Sequence, residues 1–488
     1  MNLQLNHFNG KAAATTQSVV DALYQMLDEG QIDQAQFSRV NVQLDWIQYK
    51  QNFREMVTVS RGSKGQHAAG AKESGPPVME IRIDTRQVTP ASLKSEMKRA
   101  ITAAESDTQS ADDRIALEDF KSFRNSIAWE FNKLYWTWLR DWEKATGKGY
   151  EQALPGGKSD GNHEDAVADS VGDFWTLLRD METKNQLPGE IFILEIGVGS
   201  GKRCGMFVER FRSLDAQRGT SYYPKLRVLM GDYSLATLDM SRPAVKEHIE
   251  LCSFLALDAL NPLKTLSFLR HKILYIHSTN MYDNLPDEEM LRRDGRLFYV
   301  HVRAYIPMTE AARIAEKFKI PVGSIRGHID KLLSIGPDAM GERACGMSFW
   351  QEVWTAIRLE EKLVAIEELP DLALPNGLDM VKLEGILDES PGDVRFHLSS
   401  GALESFVNTI PLLHPRGYLQ VQDIFVTDLN DYRVGFHGPG KLDGSIVNWV
   451  NGALLRGVAE RTGYDLHFAP YRYRQGSKTS ILYTSPRE

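Results

Sequence analysis

The segment Ile193-Leu194-Glu195-Ile196-Gly197-Val198-Gly199-Ser200-Gly201-Lys202 sets three glycines at alternate positions directly after an apolar run. Glycines so placed let the backbone turn sharply and let a ligand approach the main chain without meeting a Cβ. A dinucleotide fingerprint would need G-x-G-x-x-G, but Lys202 takes the third place counted from Gly197 and Cys204 counted from Gly199. A P-loop would need Ser or Thr after Lys202, where Arg203 stands. Further along, LRVLMGDYS places Asp232 and Tyr233, and FLALDAL places Asp258 and Ala259, each pair just past an apolar run. A carboxylate at the end of a strand can accept both hydroxyls of a ribose, which is the chemistry assigned to Asp232.

A second set of residues bears on a reacting group. His277 ends ILYIH, Gln422 and Asp423 end LQVQD, and His437 lies in GFHGPGK. Two histidines with an oxygen donor on converging strand ends suit a first-row divalent metal with open positions, so His277, Gln422 and His437 are candidate metal ligands. Equally, His277 can simply hydrogen-bond inside a pocket, or His277 or Tyr282 can act as a general base. Asn448 and Asn451 have i, i+3 spacing and are expected on one helical face lining the substrate pocket. A helix N-terminus capped by Asp443 or Ser445 is compatible with the same residues.

These residues need a scaffold. Short apolar runs at 191–196, 226–230, 254–257, 273–276 and 418–421 are separated by segments long enough for helices, the pattern of an α/β, mostly parallel sheet. Such folds place their chemistry at the carboxyl ends of the strands. Residues 1–112 read as a helical N-terminal region, with apolar positions at helix spacing through Val19, Val20, Leu23, Met26 and Leu27 and again through Val42, Leu44, Trp46 and Ile47. Within it, 60–77 is rich in Gly, Ser and Lys and reads as a flexible linker; an alternating piece at 78–83 suggests a strand and 90–104 a helix. Residues 113–180 form a helical cap whose SIAWEFNKLYWTWLRDW stretch carries aromatics nearly all round, as core or as a pocket wall. The catalytic sheet is expected over 181–306 and 370–488, interrupted at 307–369 by a helical lid holding Phe349, Trp350 and Trp354.

The order of Glu195, Gly197, Gly199 and Gly201, then Asp232, then Asp258 resembles the motifs of class I S-adenosylmethionine-dependent methyltransferases, a Rossmann-like fold. That resemblance implies that the glycine turn lies against the methionine part of S-adenosylmethionine and that Asp258 meets the adenine amino group. More narrowly, from about Phe192 to the end the chain resembles the MidA-like group and the related C-methyltransferase domains of polyketide synthase loading modules. Asn280, Asp283, Leu285 and Pro286 match the MidA signature N-E-x-x-D-A-L-P, which adds Asp283 to the catalytic candidates, whereas Met281 replaces its Glu and Asn284 its Ala. Losing that carboxylate weakens an arginine-methylating reading, because a guanidinium needs an acidic partner. Some polyketide C-methyltransferases of this type are metal-dependent, so the resemblance implies a mononuclear iron or manganese, which would stabilise an enolate as a Lewis acid.

The expectation is therefore C-methylation of a small acyl or dicarbonyl substrate, free or held on a carrier protein, as in natural-product biosynthesis. Arginine methylation and a catalytically silent assembly protein that keeps the cofactor fold are the alternatives. Composition narrows the setting. In 488 residues, 57 Lys+Arg against 65 Asp+Glu give a net charge of −8, which disfavours a nucleic-acid partner. No apolar run approaches the roughly 20 residues of a membrane span. Three scattered cysteines and no secretory-type start fit a reducing cytoplasm. An acidic carrier would need a basic patch, for which Arg292, Arg293, Arg326, Lys331, Arg343 and Arg358 are candidates, though a solvated helix face explains them equally.

Overall fold

The computed structural model describes residues 2–6, 12–38, 40–45, 51–62, 78–84, 89–105, 113–369, 372–434 and 438–487. Its centre is a seven-stranded sheet built from β1 (Ile191–Ile196), β2 (Leu226–Asp232), β3 (Cys252–Ala256), β4 (Ile273–Thr279), β5 (Leu413–Asp423), β6 (Tyr464–Pro470) and β7 (Ser480–Pro486), in the order β3-β2-β1-β4-β5-β7-β6. The first five strands are parallel; β7 runs antiparallel to β5, and β6 antiparallel to β7. This is the fold of class I methyltransferases. Strand order reverses between β1 and β4, which opens a crevice at their carboxyl ends.

All five expected strands are present. Burial of almost every side chain along β1 and β4 explains their unbroken apolar runs, because a parallel sheet is covered on both faces. Four helices matter for the crevice: α1 (Ile127–Thr137), α2 (Leu139–Thr146), α3 (Glu164–Thr183) and α4 (Lys202–Arg218). Helices α3 and α4 cover one face through Phe174 and Phe207, which pack on Tyr275, and Phe211, which packs on both. The opposite face packs on the helix Ser400–Thr409 through Leu403 and Phe406.

Three expectations need correction. The N-terminal region is not simply helical: strands Asn2–Asn6, Val40–Asp45, Val78–Asp84 and Val57–Gly62 form a four-stranded sheet, in that order, beside helices Ala12–Asp28 and Pro90–Glu105. Val40, Val42 and Leu44 are buried while Asn41 and Gln43 are half-buried, a period of two that belongs to a strand, not a helix. Trp46, Ile47 and residues 63–77 of the expected linker lie outside the described residues, and 60–62 belong to a strand.

The expected helical cap, 113–180, also holds strands Arg114–Ala116 and Lys121–Ser122, and its SIAWEFNKLYWTWLRDW stretch is divided. It breaks at Trp138 (φ −112, ψ 25), between α1 and α2. The interposed unit is not purely helical either. Its helices Met308–Phe318, Ile325–Ile335 and α5 (Arg343–Ala356) are followed by a strand, Arg358–Ala365, in an antiparallel sheet with Arg296–Pro307, Glu289–Arg293 and Val394–His397. Helix α5 and the cap join through aromatic contacts, Trp142 to Trp350 at 4.7 Å and Phe131 to Trp354 at 5.9 Å between ring centroids.

Candidate active site

The glycine turn leaves the end of β1 with Gly197, Gly199 and Gly201 all at positive φ (75°, 51° and 72°). Gly201 is the most constrained, because a Cβ there would lie 2.7 Å from the Ser241 carbonyl oxygen. The turn is pinned to β2: Gly197 N–H donates to the Gly231 carbonyl at 2.8 Å, and Gly199 N–H reaches Asp232 Oδ2 at 3.4 Å. Asp232 Oδ1 accepts from Ser234 N–H at 3.0 Å. Burial pushes the Asp232 carboxyl up to about 6, against the opposing effect of these backbone donors.

Beside Asp232, Tyr233 (46% exposed) and Leu235 (69% exposed) are large apolar side chains open to solvent. Lys133 of α1 stands over the Tyr233 ring, 5.8 Å from its centroid. Asp258 accepts the Leu260 N–H at 2.9 Å just beyond β3, and Leu257 N–H donates to the Asp232 carbonyl at 2.9 Å. The ends of β1, β2 and β3 thus bring together the glycine turn, Asp232, Tyr233, Asp258 and Ala259. Glu195 is turned elsewhere. Its carboxylate is buried and accepts from Arg203 Nη1 of α4 at 2.9 Å, so it anchors that helix and is not open to a ligand at the turn.

Arg203 opens a polar network under the sheet that the sequence did not announce. Its Nη2 donates to Tyr275 Oη at 2.7 Å, and Tyr275 Oη donates to Gln420 Oε1 at 2.7 Å. His277 Nδ1 lies 3.2 Å from both Tyr275 Oη and Gln420 Oε1, and Nε2 lies 2.7 Å from Thr279 Oγ1. Burial, and secondarily the Arg203 charge, hold the His277 imidazole well below its ordinary pKa, so it is neutral. Of the three readings of His277, as metal ligand, hydrogen-bonding residue or general base, the hydrogen-bonding one matches this geometry.

The other candidates gather around Asp423 at the end of β5. Asp423 Oδ2 accepts the backbone N–H groups of Met281 (3.1 Å), Tyr282 (2.8 Å) and Asp283 (3.2 Å), and Oδ1 accepts Ile424 N–H (2.8 Å). This carboxylate fixes the turn that follows β4. Tyr282 belongs to the apolar core under that turn, and burial raises its phenol pKa, which does not suit a general base. Asp283 is buried; burial and then the Asp423 charge push its carboxyl well above the usual range. Asn284 Nδ2 donates to Asp283 Oδ1 at 2.6 Å.

Asn448 and Asn451 do not share a helical face. Residues Gly440–Leu442 and Ser445–Val447 form a hairpin, Asn448 follows it, and Asn451 caps α6 (Gly452–Ala459) by accepting Leu454 N–H at 3.0 Å. The Asn451 amide also donates to the His397 carbonyl at 2.8 Å, so both ends of its side chain are engaged in structure. The expected cap at Asp443 or Ser445 is replaced by Asn451; Asp443 instead accepts from Tyr135 Oη and Trp142 Nε1, each at 2.9 Å. Asn448 is 3% exposed, its N–H donates to the Asp283 carbonyl at 3.0 Å, and neither polar atom of its side chain has a partner among the described residues.

The expected metal set of His277, Gln422 and His437 cannot be followed through the described residues, because one of its members falls outside them. Both His277 ring nitrogens are engaged, His437 lies outside the described residues, and among the described residues no group of three His, Cys, Asp or Glu side chains can hold a metal ion. Sequence reasoning missed Tyr150, Asn284 and Arg203. Arg203 had a signal, a charged residue at the second position of a helix that follows a buried strand bearing Glu195; Tyr150 had none, since it belongs to the cap.

No protein-family model and no curated protein matches the chain. Among solved structures, it is similar to an uncharacterized superfamily protein from Burkholderia thailandensis, at 11% identity over 82% of this chain and 94% of that chain with a TM-score of 0.43. A second Burkholderia thailandensis protein of that superfamily, solved with S-adenosyl-homocysteine bound, matches at 12% identity over 82% and 94% with a TM-score of 0.42. The DszA carbon methyltransferase matches at 12% identity over 85% and 74% with a TM-score of 0.32. Likenesses this distant leave the functional reading to the site itself.

Proposed function

We propose that the protein is an S-adenosylmethionine-dependent methyltransferase that methylates a carbon of a small acyl or dicarbonyl substrate. The observation that carries the cofactor reading is the pairing of the glycine turn with Asp232: Gly199 N–H meets the carboxyl that would take the ribose hydroxyls, and exposed Tyr233 and Leu235 flank it as surfaces for the adenine. Asp258 lies at the next strand end, in reach of the adenine edge. When bound, the cofactor supplies an electrophilic methyl on a sulfonium; the chain's task is to hold the acceptor in line and exclude water.

The crevice favours an uncharged acceptor over a guanidinium. Met281 stands where the resemblance would have a glutamate, and its side chain lies against Gly197, 3.7 Å from where a Cβ would be. Asp283, two residues on, is in surroundings that disfavour its charge. Metal assistance through His277 is not part of this reading, because its two nitrogens already serve Gln420, Tyr275 and Thr279. A carrier-bound form of the substrate remains within the proposal, and the arginines and lysine before and within the interposed unit are where an acidic carrier would be tested.

Titration calorimetry with S-adenosylhomocysteine tests the cofactor site. Wild-type protein should bind, and Asp232→Ala should lose about two orders of magnitude in affinity, the worth of two hydrogen bonds to a charged group. Equal affinity in both proteins would overturn the placement of the ribose.

A further inference from the structure

Between α3 and the β6–β7 hairpin lies a cavity of about 540 Å³, within the range of small-molecule sites. Tyr418, Gln420 and Gln422 of β5 line it together, because residues two apart on a strand share a face. Ser170 and Asp173 of α3 stand on one side, and Ile481 and Tyr483 of β7 on the other. Tyr473 ties the loop after β6 to α3, its Oη donating to Asp169 Oδ2 at 2.7 Å. In the sheet, β5 is three strands from β2, about 14 Å, so this cavity is separate from the glycine turn and Asp232.

Most polar groups of the cavity are already served. Gln420 Oε1 accepts from Tyr275 Oη at 2.7 Å and from Ser170 Oγ at 3.2 Å. Asp169 pairs with Arg472 at 3.2 Å, and Arg416 pairs with Asp180. Three groups are left over among the described residues. Gln422 is 2% exposed, yet its Oε1 has no hydrogen-bond partner, and neither has the buried Oη of Tyr418. The carboxylate of Asp173 accepts no hydrogen bond and joins no ion pair. Native proteins leave few buried polar atoms unpaired, because each gives up its hydration without return. The three fall at two ends of the cavity: Tyr418 and Gln422 are four residues apart on β5, about 13 Å along the strand. Asp173 belongs with Tyr418, whose phenol proton is held on by burial, by the Tyr275 phenol and then by the Asp173 charge.

What is left over selects a ligand. An unpaired carboxylate calls for a cation, and a single carboxylate is too small a donor set for a bare divalent metal. An anion finds no partner here, because both arginines that line the cavity are paired. The rings of Tyr418, Tyr473 and Tyr483 offer apolar surface to the body of a ligand, and aromatic faces attract an ammonium. At the far end, Gln422 Oε1 calls for an N–H or O–H donor. We propose that this cavity is a second ligand site, for an elongated primary amine that sets its ammonium on Asp173 and the Tyr418 oxygen and a hydrogen-bond donor at its other end on Gln422. Such an occupant lies along β5 against Gln420, the acceptor that Tyr275 and Ser170 share. The site stands apart from the methyl-transfer reading and does not rest on it.

The test titrates tyramine into the full chain by calorimetry, with and without excess S-adenosylhomocysteine. Tyramine carries an ammonium at one end, a phenol donor at the other and a ring between, and it should bind once per chain with the same affinity in both conditions. 3-(4-Hydroxyphenyl)propionate, of the same length with the charge reversed, should bind at least about tenfold more weakly, and 2-phenylethylamine, which lacks the far donor, about fivefold more weakly. Asp173→Asn, a change at an exposed position of α3, should weaken tyramine about tenfold. In Gln422→Leu the gap between tyramine and 2-phenylethylamine should close. The proposal is overturned if wild-type protein shows no saturable tyramine binding, if the propionate binds as tightly, if Asp173→Asn leaves the affinity unchanged, or if S-adenosylhomocysteine displaces tyramine, which would put the probe in the cofactor crevice.

Discussion

Asp283 donates its backbone N–H to Asp423 Oδ2 across 3.2 Å, so the carboxyl groups that follow β4 and end β5 share one dry corner of the crevice. Their roles differ because their donors differ. Asp423 collects four backbone N–H groups, whereas the carboxyl of Asp283 receives the Asn284 amide.

Asp423→Asn replaces a charged acceptor of four N–H groups by a neutral one and turns an N–H2 toward donors. It should cost about 2–3 kcal/mol of stability in denaturant unfolding. Asp283→Asn removes a like charge or a proton from the same corner and should stay within about 1 kcal/mol of wild type. Equal losses in the two variants would mean that Asp423 does not organise the turn.

Cofactor affinity should depend on pH through Asp232. Its carboxyl is raised to about 6, and only the ionised form accepts two ribose hydroxyls. Above that pH the group is charged and binding is at its plateau; below it the proton competes, and affinity should fall toward about tenfold per pH unit. Calorimetry with S-adenosylhomocysteine across this range checks the sign: affinity that rises on acidification contradicts the assignment.

Glu195 and Arg203 are a buried pair on opposite sides of the glycine turn's base. Glu195→Ala strands a guanidinium in the interior and should cost about 3–5 kcal/mol, whereas Glu195→Met with Arg203→Met together should recover much of that loss. Chemical denaturation of the three proteins distinguishes a pair from two independent residues, since independent effects would add.

His277→Gln tests whether the imidazole belongs to the hydrogen-bond network alone. A glutamine can still meet Gln420 or Thr279, so S-adenosylhomocysteine affinity and the metal content of protein purified without added metal should match wild type. Loss of a stoichiometric metal in the variant would restore His277 as a ligand.

The parallel sheet and the cofactor motifs were legible because both are local: a buried strand writes itself as an unbroken apolar run, and a sharp turn writes itself in glycine. Failures came where a side chain's role depends on distant partners. Nothing within the stretch from Lys441 to Asn451 says that Asn451 will cap a helix starting at Gly452, since the hairpin that intervenes is fixed by Asp443 binding Tyr135 and Trp142, some 300 residues away. Val40–Asp45 was misread because an alternating run flows into Trp46 and Ile47, and extending the window across them imitates helical spacing. His277 was read by its place at a strand end, correctly, but whether its nitrogens were free was decided by Gln420 and Tyr275.

Gly201 separates two costs that a glycine turn usually confounds. At φ 72° any L-residue is strained, and the Ser241 carbonyl oxygen 2.7 Å from a new Cβ adds a collision with backbone that cannot swing away. Gly199 has a similar left-handed φ of 51° but nothing within 4 Å of its Cβ position. Gly199→Ala should therefore lose about 1 kcal/mol of stability from backbone strain alone, and Gly201→Ala about 2–4 kcal/mol because the start of α4 must shift as well. The two should rank differently for the cofactor: Gly199→Ala leaves the fold nearly intact yet places a methyl beside the N–H that meets Asp232, so its S-adenosylhomocysteine affinity should fall more than its stability. Denaturant unfolding and calorimetry on both variants check this. If Gly199→Ala bound S-adenosylhomocysteine as tightly as wild type, the cofactor would not approach the turn at that residue.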